Sequence, residues 1–278
     1  MPPTNKGAKR PAAITRLQET DSTGKRNWLI YAPSGFGKTV LAGTAPKALI
    51  LAVEHGGTES AKMMGSTADE LVIDTVGKLE SAYDYFKNGS GCDDYDWVVL
   101  DSLSEIEDMY WQDLQGDSVV KKLQDYGAVE TRVKRLVDKW NRLPINVLYT
   151  AGAARLDTED VETDEERIML IPALGTAKGV LSQRIAAKVT LVGYLSVLEY
   201  TDEDSGEIKE MRRLQLRGSE RVTAKDRHGI APKTGFLRNP TIPRMIEKAE
   251  AALAGGNGSE ENLEKPKKKK ADKPSEKE

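Results

Sequence analysis

A chain of 278 residues and 30.6 kDa, with 41 Lys and Arg against 44 Asp and Glu, has room for one sizeable core and loose ends. Its formal charge of -3 excludes a global attraction to nucleic acid, so any such contact must come from local basic loops or from the tail. No apolar run is long enough to span a membrane, the start is not a signal sequence, and one cysteine, Cys92, beside only His55 and His228 argues against an internal disulfide or a structural zinc site. No membrane contact and a cytoplasmic location are therefore expected.

Residues 1–25 are polar and carry Pro2, Pro3 and Pro11, which reads as a flexible N-terminal arm. The core is expected over 26–250. Its first strand is Trp28 to Tyr31, and a helix should begin inside Gly37-Lys38-Thr39-Val40 and stop near Gly43, before Pro46. Residues 48–53, ALILAV, form a wholly apolar strand that ends at Glu54. A strand at Leu71 to Ile73, a helix from Lys78 to Lys87, a turn-rich segment around Cys92 and a strand from Trp97 to Leu100 ending in Asp101 follow. Short buried strands alternating with helices imply a mainly parallel sheet covered on both faces.

Apolar residues at Leu123, Tyr126, Val129, Val133, Leu136, Val137 and Trp140 keep helical spacing up to Pro144, and Ile145 to Tyr149 is a strand with Thr150 at its end. The acidic stretch Asp157 to Glu166 reads as a loop, and Arg167 to Ile171 could re-enter the sheet. Lys188 to Tyr200 and Glu207 to Leu216 flank TDEDSG as an antiparallel hairpin at the sheet edge. Residues 251–278 are expected to be a disordered charged tail, with the Lys267 to Lys270 run either solvated or touching phosphates.

Ala32 to Thr39, APSGFGKT, carries all but the leading glycine of G-x-x-x-x-G-K-[ST]. Backbone N–H groups along Pro33, Ser34, Gly35, Phe36, Gly37, Lys38, Thr39 and Val40 would cradle phosphates where a helix begins, because unpaired donors and the helix dipole favour an anion there. Lys38 would reach the β and γ phosphates of ATP, and Thr39 and Asp101 would hold Mg²⁺. Ala32 is harmless if its backbone does not need positive φ. Glu54 would face the same sheet edge as Asp101 and could polarise water, its alternatives being a surface carboxylate or a helix cap. Thr150 could report the γ-phosphate state or simply face solvent.

The segments APSGFGKT, LAVEHGG, WVVLDS and RVTAKDRHG together resemble the RecA-core fold over about residues 25–245, and more narrowly the phage RecA-like single-strand annealing proteins. The resemblance implies an α/β RecA-like P-loop ATPase core with a C-terminal antiparallel hairpin, in the cytoplasm of a bacterial host. It implies that Glu54 activates water, and that Lys225 and Arg227 cross a subunit interface onto a neighbour's phosphates. That role makes the chain a homo-oligomer with ATP at its interfaces; an exposed charged turn is the alternative. Two mobile loops, 104–122 and 154–179, would together bind single-stranded DNA, with Lys121, Lys122, Arg155, Arg167 and Lys178 each either a phosphate contact or an ordinary surface charge, and a single-strand-binding protein as a further partner. Ala32, Thr150 in place of glutamine, and an N-terminal arm without an assembly motif depart from the recombinase pattern.

The leading expectation is thus a DNA-stimulated, Mg²⁺-dependent ATPase that promotes annealing. A P-loop small-molecule kinase and a nucleotide-gated interaction protein with little turnover are the alternatives.

Overall fold

The computed structural model describes residues 24–54, 56–116, 123–159, 166–175, 179–202 and 206–254. The N-terminal arm up to residue 23, most of the charged tail, His55, Lys121, Lys122, Lys178 and the side chain of Arg167 lie outside the described residues.

The elements run β1 (Asn27–Tyr31), α1 (Lys38–Ala42), β2 (Ala48–Ala52), α2 (Glu59–Met63), β3 (Asp69–Val72), α3 (Val76–Asn88), α4 (Gly91–Asp94), β4 (Trp97–Asp101), α5 (Leu103–Gln115) and α6 (Leu123–Trp140). They continue with β5 (Asn146–Ala151), β6 (Ala153–Glu159), β7 (Glu166–Pro172), α7 (Val180–Lys188), β8 (Leu191–Thr201), β9 (Ile208–Gln215), β10 (Lys225–Asp226), β11 (Phe236–Arg238) and α8 (Ile242–Leu253).

The main sheet has the order β11-β9-β8-β1-β5-β4-β2-β3, with β10 added to β8. The run from β8 to β3 is parallel, whereas β9, β10 and β11 pair antiparallel. Strands β1, β2, β4 and β5 are almost continuously apolar because both of their faces are covered. The outermost parallel strand, β3, begins Asp69-Glu70 and is largely exposed, as suits an edge.

One face of the sheet meets α3, α5, α6 and α7 through Leu29, Leu79, Phe86, Val98, Leu100 and Trp140. The other meets α1 and α8 through Trp28, Ile30, Leu41, Trp97 and Met245. Trp28 and Trp97 pack at a tilt with ring centres 5.1 Å apart, and Trp140 meets Phe86 edge-on at 5.5 Å. Each such ring pair adds about 0.5–1.5 kcal/mol beyond its buried area.

Several expectations need correction. Residues 104–115 are not part of a mobile loop: they lie in α5, where Leu103, Ile106, Met109 and Tyr110 are buried at helical spacing and the Ser102 hydroxyl accepts from Glu105 N at 3.3 Å. Residues 154–159 and 166–172 are likewise not a loop but the antiparallel pair β6–β7, a separate two-stranded sheet. The strand around Arg167 to Ile171 therefore exists but pairs with β6 and not with the main sheet; within it Leu170 makes an isolated parallel bridge to Val222. The segment around Cys92 is the short helix α4, and its thiol contacts the Phe86 carbonyl at 3.2 Å. The stretch entered at Lys188 begins as the end of α7, a helix seated by Leu181 and Ile185.

Candidate phosphate site

β1 ends against the loop that leads into α1. Ala32 is fully buried and continues the β1–β5 ladder, its N–H donating to Ala151 O at 3.2 Å. Its φ is not positive, so the alanine occupies the leading-glycine position without strain. Gly35 and Gly37, by contrast, have φ of 81 and 87, which the left-handed turns of the loop require. The Gly37 carbonyl accepts from Leu41 N at 3.0 Å and starts α1.

Lys38 folds back over this loop and donates to the carbonyls of Ala32 and Pro33, both at 3.0 Å. Burial lowers its ammonium below the ordinary lysine range, opposed by the nearby charges of Asp101 and Glu54. The Thr39 hydroxyl, one residue on, donates to Asp101 Oδ2 at 2.6 Å, and the fully buried Thr150 hydroxyl donates to Asp101 Oδ1. β5 lies between β1 and β4, so Thr150 is held directly beside the acid. The Asp101–Ser102 peptide is cis.

These groups meet at the C-terminal edge of the parallel strands, where α/β sheets place their ligand crevices. A cavity of about 350 Å³ there is lined by Lys38, Thr39, Glu54, Asp101, Glu105 and Arg212, with Ser34, Gly35, Gly37 and Val40 along the loop. Pro33 and Phe36 serve the loop differently, Pro33 through its carbonyl and Phe36 by packing on the α1-side core. Thr150 reaches the cavity only through its bond to Asp101, as a positioning residue.

A hydroxyl and a carboxylate 2.6 Å apart beside a phosphate loop suit a hard divalent cation. Among the described residues no group of three or more His, Cys, Asp or Glu could hold a metal by itself. Thr39 and Asp101 would thus hold Mg²⁺ jointly with phosphate and water oxygens, which is how this ion is commonly bound.

Lys225 and Arg227 are not brought to this cavity within the chain. β10 pairs with Leu191 and Val192 at the start of β8, the sheet end opposite the phosphate loop. There the Lys225 ammonium donates to the last carbonyls of α7, at Ala186 (2.5 Å) and Ala187 (3.3 Å). Arg227 is exposed, and its N–H donates to Thr190 O at 3.1 Å. Asp226 between them accepts from His228 N and Ala231 N at 2.8 and 2.7 Å, so the segment is a hydrogen-bonded turn.

Glu105, Ser104 and Arg212 are among the cavity residues that the motif reading did not reach. Glu105 has a legible signal, since Ser102 and Glu105 form the S-x-x-E pattern of a helix start. Its carboxyl is raised by burial and by the charges of Asp108, Glu54 and Asp101. Ser104 ties neighbouring elements together, accepting from Gly152 N at 3.0 Å and donating to Ala173 O at 2.9 Å. Arg212 has no local signal, because its place depends on where β9 crosses the phosphate loop.

The fold and the site define an α/β P-loop nucleoside-triphosphatase domain with a mixed, mostly parallel sheet. Residues 25–228 match the model of the AAA domain family, and the chain belongs to that family. No curated protein matches the chain. Among the described residues, no helix is long and apolar enough to cross a membrane.

Proposed function

We propose that the chain is a Mg²⁺-dependent ATPase of RecA-like type that works on single-stranded DNA in recombination. The observation that carries the ATPase part is the convergence of Lys38, Thr39, Glu54 and Asp101 on one cavity from three different strand ends. Lys38 neutralises charge on the β and γ phosphates, and the loop amides orient them. Bound Mg²⁺ supplies further neutralisation of the phosphates. Glu54 is exposed at the cavity and, unlike Asp101, free of the Thr39–Asp101–Thr150 bonds, so it is a carboxylate able to take a proton from water.

The DNA part rests on the resemblance of the motif set to RecA-like annealing proteins and gains support from one linkage. Ser104 joins Gly152, just beyond Thr150, to Ala173 at the foot of the β6–β7 hairpin, and Glu107 beside it accepts from Gly175 N at 2.8 and 3.0 Å. A change at the nucleotide edge therefore has a short bonded route to the hairpin, where Arg155 stands on β6. ATP turnover measured with and without single-stranded DNA tests the reading. Stimulation by DNA supports it, ATP turnover indifferent to DNA leaves only the ATPase, and phosphorylation of a small metabolite replaces it with a kinase.

A further inference from the structure

We propose that Arg212, on β9, is a phosphate-binding residue of the nucleotide site, supplied by the same chain that carries the phosphate loop. The inference rests on the ATPase reading above and adds a second cation to it.

A Cβ placed on Gly37 would lie 2.6 Å from Arg212 Nε, 3.2 Å from Cζ and 3.3 Å from Nη2, so the guanidinium lies directly against the loop backbone at Gly37. Leu214, two residues along the same strand face, is buried in the α1-side core and fixes which way that face points. The main chain of Arg212 is held as well, since its N–H donates to Asn239 Oδ1 at 3.0 Å and its carbonyl accepts from Asn239 N at 2.7 Å. Those backbone bonds join β9 to the end of β11 without using the side chain.

The Nε–H of Arg212 is buried and, among the described residues, has no hydrogen-bond partner. A buried donor left unsatisfied is costly, and guanidinium donors match phosphate oxygens in geometry and charge. Arg212 also lines the phosphate cavity alongside Ser34, Gly35, Lys38 and Thr39, so an oxygen of a bound phosphate would supply the missing acceptor.

Charge balance argues in the same direction. Without Arg212, the ionisable groups lining that cavity are Lys38 against Glu54, Asp101 and Glu105, an excess of negative charge facing a polyanionic ligand. Arg212 halves that excess. It also borders a second cavity of about 470 Å³ over α1, lined by Val40, Thr44, Asn239 and Thr241. The guanidinium therefore stands at the junction of the two cavities and can touch the polyphosphate where it leaves the loop.

The test is an equilibrium titration of wild type, Arg212→Ala and Arg212→Lys with Mg-ATP and with inorganic tripolyphosphate, beside their thermal unfolding without ligand. Loss of one charge-assisted bond predicts roughly tenfold to hundredfold weaker binding of both ligands to Arg212→Ala. Arg212→Lys should recover part of that loss, with the ligand-free unfolding midpoint lowered in neither variant. If Arg212→Ala does not fold, Arg212→Lys and Arg212→Gln carry the comparison. Wild-type affinity in any folded Arg212→Ala or Arg212→Gln variant overturns the inference, as does a loss for ATP with none for tripolyphosphate. Wild-type protein that binds neither ligand overturns the ATPase reading and this inference together, whereas binding by wild type and variants alike removes this inference alone.

Discussion

The Thr39 hydroxyl donates to Asp101 Oδ2 at 2.6 Å, joining the phosphate loop to the end of a strand two positions away in the sheet. Because the buried Thr150 hydroxyl uses the other oxygen, Asp101 accepts from two hydroxyls at the position proposed for the metal acid. Asp101→Ala should therefore cost about 1–3 kcal/mol of stability, the penalty for leaving a buried hydroxyl unpaired. Asp101→Asn, which keeps an acceptor oxygen, should lose Mg²⁺-dependent nucleotide binding with a smaller loss of stability. Chemical denaturation beside Mg-ATP titration checks both outcomes.

Lys38→Ala should sharply weaken ATP binding while leaving the fold intact, since the side chain spans only carbonyls of its own loop. The lysine also predicts a pH dependence. Burial lowers its ammonium from the ordinary value, so the charge that attracts phosphate is present at lower pH and lost as pH rises through that lowered value. Wild-type affinity should fall in alkaline solution before an ordinary lysine would titrate. Binding there should take up a proton, read by calorimetry in buffers of different ionisation enthalpy; an affinity loss confined to the ordinary lysine range contradicts the expectation.

Glu54→Gln removes basicity but keeps shape, and Glu54 makes none of the bonds that hold Thr39, Asp101 and Thr150 together. ATP affinity should change little and turnover should fall by about 10²- to 10⁴-fold, the usual contribution of a positioned general base. Steady-state phosphate release with parallel binding titrations measures both. Turnover at the wild-type rate would return Glu54 to the surface carboxylates.

Lys225 and Arg227 should separate on mutation. Lys225→Ala removes bonds to the last carbonyls of α7 and should destabilise the chain by roughly 0.5–1.5 kcal/mol, whereas exposed Arg227→Ala should stay within about 0.5 kcal/mol. Action across a subunit interface is a separate matter, tested by mixing Glu54→Gln with the Lys225→Ala, Arg227→Ala double variant. Partial recovery of turnover in verified mixed oligomers supports it. Full activity of the double variant alone discards it.

The phosphate loop, the ALILA strand, the strand ending in Asp101 and the strand carrying Thr150 were legible from residue order. Doubly covered strands must be apolar throughout, and a phosphate loop needs glycine, lysine and a hydroxyl residue at set spacing. Helix α5 was also written locally, in Ser102, Glu105 and the spacing of Leu103, Ile106 and Met109, but the resemblance to recombinases drew those residues into an expected loop. Residue order could not say that Thr150 would bond to Asp101, because that depends on β5 lying between β1 and β4. Nor could it give Lys225 its place on the end of α7 or bring Arg212 against Gly37, each set by strand pairing far along the chain. Local propensity and motif spacing act over a few residues, whereas the partners of Asp101, Lys225 and Gly37 are chosen by how the assembled sheet brings distant strands to one edge.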